Sequence, residues 1–468
     1  MQKQNPSPKN MRTFWVIWGG QLISVLGSGL TSFAMGVWIY DQTGKATPFA
    51  LTALFATLPS VLLMPFAGAV ADRFNRRKVM ILADSGDALV TIIAAGLLFF
   101  GDLQVWHIYL LAVFGSLFST FQGPAYMAST TMLVPKKDLA RAGGIMQMGQ
   151  AIQSILTPLV AGGLYALIGL HGVLLIDAVT YLFAVGALLV VRIPQPERVS
   201  EGVEKGEGAK SLWGDAIFGW RYLRARPGLF GMLLYFASVN FFLSFSGVLS
   251  GPLVLSFGTA ADLGVVQTAG GVAMLIGSVT MGAWGGPKRK VPALIGFIAL
   301  ASTGFLITGI RASTVTIAAG TFILLAFIPF ASALSQAVFQ TKVPPDLQGR
   351  VFAIRGMIAR SISPLAMLVS GPLADRVFEP LMSAGGGLSS TFIGNWLGVG
   401  PGRGIGLMFA ISCLFLWGES LVAIAHPRIR QVEQEIPDAI PDEVDEISPD
   451  PTDEGIVPAE TLARSPAD

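Results

Sequence analysis

The chain has 468 residues, of which 52% are hydrophobic and only 13% charged, and a mean hydropathy of +0.63 excludes a soluble globular protein of this length. The formal net charge of +2 conceals an asymmetry, because residues 427–468 hold 12 acids and 3 bases, leaving 28 bases against 17 acids before them. A basic surplus in so apolar a body fits the loops of a polytopic membrane protein and requires no nucleic-acid partner.

The first apolar segment, 13–40, is too long for the core of a cleaved signal peptide. It is followed by Asp41, Gln42, Thr43 and Gly44 rather than a small-residue cleavage site, so it reads as a retained span. A second span covers 48–71 and breaks at GAVADRFNRRK, residues 68–78, where Asp72, Arg73, Arg76, Arg77 and Lys78 can only occupy a short aqueous loop. Ten further spans follow at 79–100, 106–130, 142–168, 171–191, 229–257, 262–284, 291–310, 313–338, 351–377 and 404–425. Each approaches or exceeds the ~20 residues a helix needs to cross a bilayer, which makes this an all-α polytopic protein of twelve spans. With the N-terminus inside, the inner segments hold 25 of the 31 Lys and Arg residues. The outer loops hold Lys45, Arg311, Arg376 and Arg403 alone, so both termini are expected in the cytoplasm.

This ordering divides the chain into a cytoplasmic N-terminus (1–12), a six-span half (13–191), a cytoplasmic central loop (192–228), a second six-span half (229–425) and an acidic tail (426–468), expected to be disordered. In the central loop Leu212, Trp213, Ala216, Ile217, Trp220 and Leu223 share one side of a helix beside Arg221, Arg224 and Arg226. They describe an amphipathic helix on the membrane surface, with a soluble linker helix as the alternative. The glycine-rich stretch 379–404 is expected to be a flexible or re-entrant loop. A faint repeat joins the halves: Pro135, Arg141, Gly162 and Leu164 recur 209 positions later as Pro344, Arg350, Gly371 and Leu373. GAVADRFNRRKV is echoed by GAWGGPKRKV at 282–291. Parallel repeats of this kind build one major class of transporters.

The stretch Gly68–Lys78, lying between the second and third of twelve spans, resembles the loop motif of the major facilitator superfamily, G-x-L-A-D-R-x-G-R-K. The resemblance covers essentially the whole membrane body. Val70 stands where the motif has Leu, and Asn75 where it has its second Gly, a left-handed turn that Asn is expected to supply. DRFNRR and GPLADRVFEP (371–380) look similar to the branch holding enterobactin exporters and macrolide efflux pumps. The resemblance implies a two-half fold and secondary active transport by a monomer in the cytoplasmic (inner) membrane of a bacterium, with a proton gradient as the energy source and no bound cofactor. It assigns Gly68, Asp72, Arg73, Arg76, Arg77 and Lys78 to a gating loop. Asp72 is then expected to cap the start of the eleventh span near Val351, or to pair with Arg76, only while the inner ends are together. The alternative, that these charges merely set topology, suits Arg77 and Lys78.

Charges inside a span cost ~2.5–3.5 kcal/mol each at a helix centre, so each marks a candidate site. Asp84 and Asp87 share a face of the third span, one to two turns from its inner end, where snorkelling and a structural network with the loop bases are the alternatives to a functional role. Asp177, about 9 Å from the outer end of the sixth, is the first choice for a protonatable carboxylate, against a packing hydrogen bond. Glu419, near the inner end of the last span, is a weaker one. Arg355 and Arg360 lie about 6 and 14 Å into the eleventh span; Arg355 is placed to snorkel and Arg360 to meet an anionic group or an internal acid. Pro158, Gly162 and Gly163 in TPLVAGG resemble the antiporter motif G-P-x-x-G-G, with Thr157 for the first Gly and one extra residue before the pair, which leans towards export; close helix packing is the alternative. Gln21, Gln147, Gln150, Gln153, Asn240, Gln267 and Gln336, with Tyr235, Phe236, Phe241, Phe242 and Phe245, suit a cavity for a bulky amphiphilic small molecule. No His or Cys cluster has metal spacing and no phosphate loop occurs, which argues against an enzyme and against ATP drive. A proton-coupled exporter is the favoured reading, with an importer and a non-transporting scaffold as the alternatives.

Overall fold

The computed structural model describes residues 11–135, 138–191 and 220–437. The side chains of Gly68, Asp72, Arg73, Arg350 and Arg360 lie outside the described residues, as do the N-terminal ten residues, 192–219 of the central loop and the tail beyond 437.

Each apolar run forms a helix: α1 (Met11–Thr43), α2 (Ala46–Arg73), α3 (Arg76–Phe99), α4 (Val105–Leu133), α5 (139–168), α6 (170–190), α7 (Pro227–Leu255), α8 (Ala260–Trp284), α9 (Lys290–Ile310), α10 (Thr314–Lys342), α11 (Pro345–Leu373) and α12 (Arg403–Ala425). Among the described residues, eleven continuous stretches are long and apolar enough to cross a membrane. One of these, Leu139–Val190, has 52 residues, about 78 Å of helix and more than twice a bilayer core of ~30 Å. Gly169 divides it, with φ 62° and ψ −172°, backbone that an L side chain rarely adopts. Thr157 and Thr180, on either side of that break, flank α1 at Gly29 and Gly27, so the chain doubles back there and α5 and α6 are separate spans.

We call the end carrying the α1–α2 turn distal and the end carrying the α2–α3 turn proximal. In the first half α1 packs on α5 and α6, and α4 on α2 and α3. In the second half α9 packs on α10 and α12, α8 on α10 and α7 on α11. The halves join along α5–α8 and α2–α11. Gly162 and Gly371, the repeat partners 209 positions apart, sit one on each junction. A Cβ at Gly162 would lie 2.6 Å from Ala260 O, and one at Gly371 would lie 2.5 Å from Thr47 Cα. Small residues at these points let the backbones touch where the halves meet. Gly163, expected to share that packing, has nothing within 4 Å of its Cβ position, because it faces away from α8. Large apolar side chains such as Leu82, Leu89 and Ile92 on α3, and Leu414, Phe415 and Leu421 on α12, stand exposed on the outer surface of the bundle, where lipid covers them.

Several local expectations change. Asn75 takes an extended conformation, φ −64° and ψ 111°, and not a left-handed turn; its Oδ1 accepts from Lys78 N at 3.2 Å and so N-caps α3. Arg77, read as a topology charge, closes the carbonyl end of α6, with Nε donating to Leu188 O at 2.7 Å and Nη2 to Leu189 O at 2.9 Å. Leu223 is fully buried against the second half while Trp220 is exposed, so the described end of the central segment docks into the protein. The glycine-rich stretch is folded: the helix Phe392–Leu397 packs with Met382 and Leu407 in a small core. Glu379 there accepts from Gly402 N at 3.1 Å and Ile405 N at 2.9 Å, capping α12. The protein body also runs past 425, because helical turns Pro427–Arg430 and Val432–Glu435 lie against the proximal ends of α7 and α9. Glu433 caps α9 by accepting from Lys290 N at 3.0 Å and Val291 N at 3.1 Å, while Lys342 Nζ donates to Glu433 O at 2.6 Å. Glu433→Ala is therefore expected to destabilise the second half by about 1 kcal/mol, read as a lower thermal midpoint of the purified protein.

Candidate functional site

At mid-depth, four helices of the first half turn polar side chains towards one another. On α1, Gln21, Ser28 and Thr31 recur at helical spacing, and on α3 so do Asp84, Asp87 and Thr91, which gives each helix one polar face. Asp177 on α6, 4% exposed, accepts from Thr31 Oγ1 at 2.8 Å and Thr91 Oγ1 at 3.0 Å. Asp84, 8% exposed, accepts from Gln21 Nε2 at 2.8 Å, and Gln21 Oε1 accepts in turn from Gln122 Nε2 on α4. Ser28 Oγ lies 3.2 Å from Asp87 Oδ2 and 3.4 Å from Asp177 Oδ1. A hydroxyl has one proton to give, so Ser28 cannot satisfy both carboxylates at once.

The cluster borders open space. A cavity of ≈ 430 Å³ is lined by Ser28, Thr31, Asp87 and Asp177, and one of ≈ 230 Å³ by Gln21, Asp84, Asp87 and Gln122. A larger cavity of ≈ 630 Å³ lies between the halves, with Phe33 and Gln153 of the first half facing Ser246 and Gln267 of the second. Ser32 lines all three, so the carboxylate cavities adjoin the space between the halves.

The structure thus brings together Asp84, Asp87, Asp177, Gln21, Gln153 and Gln267. Ser28, Thr31 and Thr91 were missed, although their helical register with Gln21 and the α3 acids was a usable signal. Phe33 and Phe49 line the central cavity, whereas Phe241, Phe242 and Phe245 stack on one another and Phe242 on Phe415 of α12, 5.2 Å between centroids. Gln150 is exposed. Glu419 stands apart on α12, its Oε2 buried without a hydrogen-bond partner among the described residues. Among those residues no group of three His, Cys, Asp or Glu side chains is arranged to hold a metal ion.

Arg355 sits deeper than expected, because α11 begins at Pro345 and places it about 15 Å along the helix. It does not snorkel. Its Nη1 donates to Gln336 Oε1 and its Nη2 to Ser335 Oγ, both at 2.9 Å, and its guanidinium lies 4.7 Å from the Phe339 ring centroid. Asn240 shares a ≈ 200 Å³ cavity with it and donates to Phe236 O at 2.8 Å. The planar fork ties α11 to α10 in a way an ammonium cannot copy. Arg355→Lys is accordingly expected to lower the thermal midpoint while substrate KM stays within about twofold, the split that marks a packing role.

The sequence model that describes the Major Facilitator Superfamily matches residues 17–367. The chain belongs to the major facilitator superfamily. Among its relatives in the superfamily, macrolide efflux protein A of Streptococcus pyogenes is 28% identical over 381 residues, covering 78% of this chain and 90% of that protein. The enterobactin exporter of Salmonella typhimurium is 26% identical over 354 residues, covering 73% and 81%. The fold is that of solved superfamily-type transporters: a bacterial homologue of the human lysosomal transporter Spinster, crystallised inward-facing and unoccupied, superposes with a TM-score of 0.65 at 15% identity, covering 89% of this chain and 96% of the other. These two relatives are named for efflux and export, and this chain, as a member of the superfamily, is a membrane transporter and not an enzyme.

Proposed function

We propose that this chain is a proton-coupled exporter of a bulky amphiphilic small molecule, working as a monomer by alternating access in the cytoplasmic membrane of a bacterium. The proximal face, which carries Arg76, Arg77, Lys78, Lys288 and Arg289, lies in the cytoplasm, as the distribution of bases favours. In that orientation the distal contacts at Gly162 and Gly371 describe a molecule closed to the outside. The relatives that export macrolides and enterobactin support both the direction and a large amphiphilic cargo. Proton movement down the gradient supplies the energy, and no bound cofactor takes part.

One observation carries the coupling: Asp87 and Asp177 share the single donor of Ser28 beside a cavity that adjoins the inter-half cavity. A proton on either carboxyl supplies the missing donor, and its loss leaves two like charges facing one hydroxyl. Each exchange of that proton alters the packing of α1 against α3 and α6, and α1 is one wall of the cavity in which the cargo rests. The cavity's apolar surface, with Phe33, Phe49, Leu243 and Leu324, holds the apolar part of a cargo, and Gln153 and Gln267 its polar groups. Cells producing the protein should retain less of a labelled macrolide or siderophore than cells without it, and a protonophore should erase the difference. Greater retention in producing cells would identify an importer instead.

A further inference from the structure

The N-terminus of α2 has no cap of its own. Lys45 stands at the N-cap position in extended backbone, φ −123° and ψ 144°, and its side chain makes no capping hydrogen bond. The repeat-related helix α8 caps itself, with Thr259 and Asp262 exchanging bonds in a capping box. In place of a local cap, α2 receives a carboxylate from the other half. Asp375, just past the distal end of α11, accepts from Ala46 N at 2.9 Å through Oδ1 and from Thr47 N at 2.8 Å through Oδ2. The same turn of α11 brings Gly371 against Thr47 and Ala50, so backbone approach and cap form together.

We propose that Asp375 is the distal latch of the transport cycle, a positioning residue that holds the two halves together outside the cavity by capping α2. The geometry makes the cap conditional. Glu379, which caps α12, and Glu433, which caps α9, also reach their helices from a distance, but each does so within the second half. Asp375 alone of these three reaches across the junction, so its two hydrogen bonds exist only while α2 and α11 touch at the distal end. Opening that end exposes the first amides of α2 and the carboxylate to water, which takes over both, and the latch therefore biases the equilibrium without locking it. The sequence supplies a counterpart: α2 ends Gly68-Ala69-Val70-Ala71-Asp72-Arg73, and Gly371-Pro372-Leu373-Ala374-Asp375-Arg376 runs across the end of α11, the same G-x-x-A-D-R at opposite ends of an antiparallel pair. Each helix of the pair therefore carries a carboxylate at the end that faces its partner's N-terminus. The repeat position in α5 that matches Asp375 is Ala166, so the α5–α8 junction lacks the device and α8 needs its own box.

The test is a distance measurement on the purified full-length protein, spin-labelled at Gln42→Cys and Val315→Cys, both exposed at the distal end; the native Cys413 is buried. Asp375→Ala should raise the ratio of distal-open to distal-closed molecules on the order of tenfold, Asp375→Asn by less, and Asp375→Glu should restore most of the closed population. Lys45→Ser supplies α2 with a local cap. In the Asp375→Ala background it should recover the thermal midpoint yet leave the distance distribution open, because the new cap no longer depends on the junction. A distribution unchanged in Asp375→Ala, or one that Lys45→Ser returns to the closed form, would overturn the latch and leave Asp375 an ordinary stabilising cap.

Discussion

Asp177→Asn is expected to abolish proton-driven transport, by on the order of a hundredfold, the scale on which loss of a positioned proton-transfer group is felt. The substitution keeps the shape of the side chain and its room between Thr31 and Thr91, so the helices around it need not move. What it removes is a group that can gain and lose a proton. The amide also brings two donors into a place where hydroxyls already donate, so some of the four hydroxyl contacts must turn round. Substrate counterflow separates this from misfolding, since exchange of labelled for unlabelled cargo at equal pH requires no net proton movement. Counterflow should persist in Asp177→Asn while gradient-driven transport falls to background. Loss of both would mark Asp177 as structural, and full retention of gradient-driven transport would move the proton site elsewhere.

Gly162→Val should have the next largest effect. A Cβ there would meet Ala260 O at 2.6 Å and Ala261 Cα at 3.1 Å, and backbone cannot step aside as a flexible side chain can. Overpacking costs roughly 1–3 kcal/mol, which acts only on the state in which α5 and α8 touch. The ratio of distal-closed to distal-open molecules should fall about 5- to 150-fold, with transport falling as the cycle stalls. Gly163→Val is the internal control: open space surrounds its Cβ position, so neither the population nor the thermal midpoint should change much. Spin-label distances across the distal end read both variants. Equal responses at the two positions would refute the junction as the cause.

Much of the architecture is written in the chain, because a bilayer leaves a helix as the only outlet for an apolar run of this kind. Even the turn inside Leu139–Val190 was visible, since a span boundary falls at Gly169. Of the four-residue echo at a distance of 209, the glycine pair has a place in the structure, both glycines lying where the halves meet. Asp84, Asp87 and Asp177 were conspicuous because carboxylates inside spans are rare, but their mutual geometry was not. It depends on which faces of α1, α3 and α6 converge, and Ser28 acquires its meaning only from two residues 59 and 149 positions away. Capping across long separations was likewise hidden: Asp375 serves amides 329 and 328 positions before it, and nothing local to Lys45 announces the debt. Arg355 was misjudged because a helix start six residues early changes a snorkelling position into a packed one. The same uncertainty about ends explains Asn75, where a cap and a left-handed turn suit the same residue.

Inside-out membrane vesicles test proton-coupled export most directly. When respiration acidifies the vesicle interior, the protein should accumulate a radiolabelled macrolide inside against its gradient, a protonophore should collapse that accumulation, and Asp177→Asn should prevent it. Accumulation that ignores the pH gradient, or that proceeds unchanged in Asp177→Asn, would contradict the account.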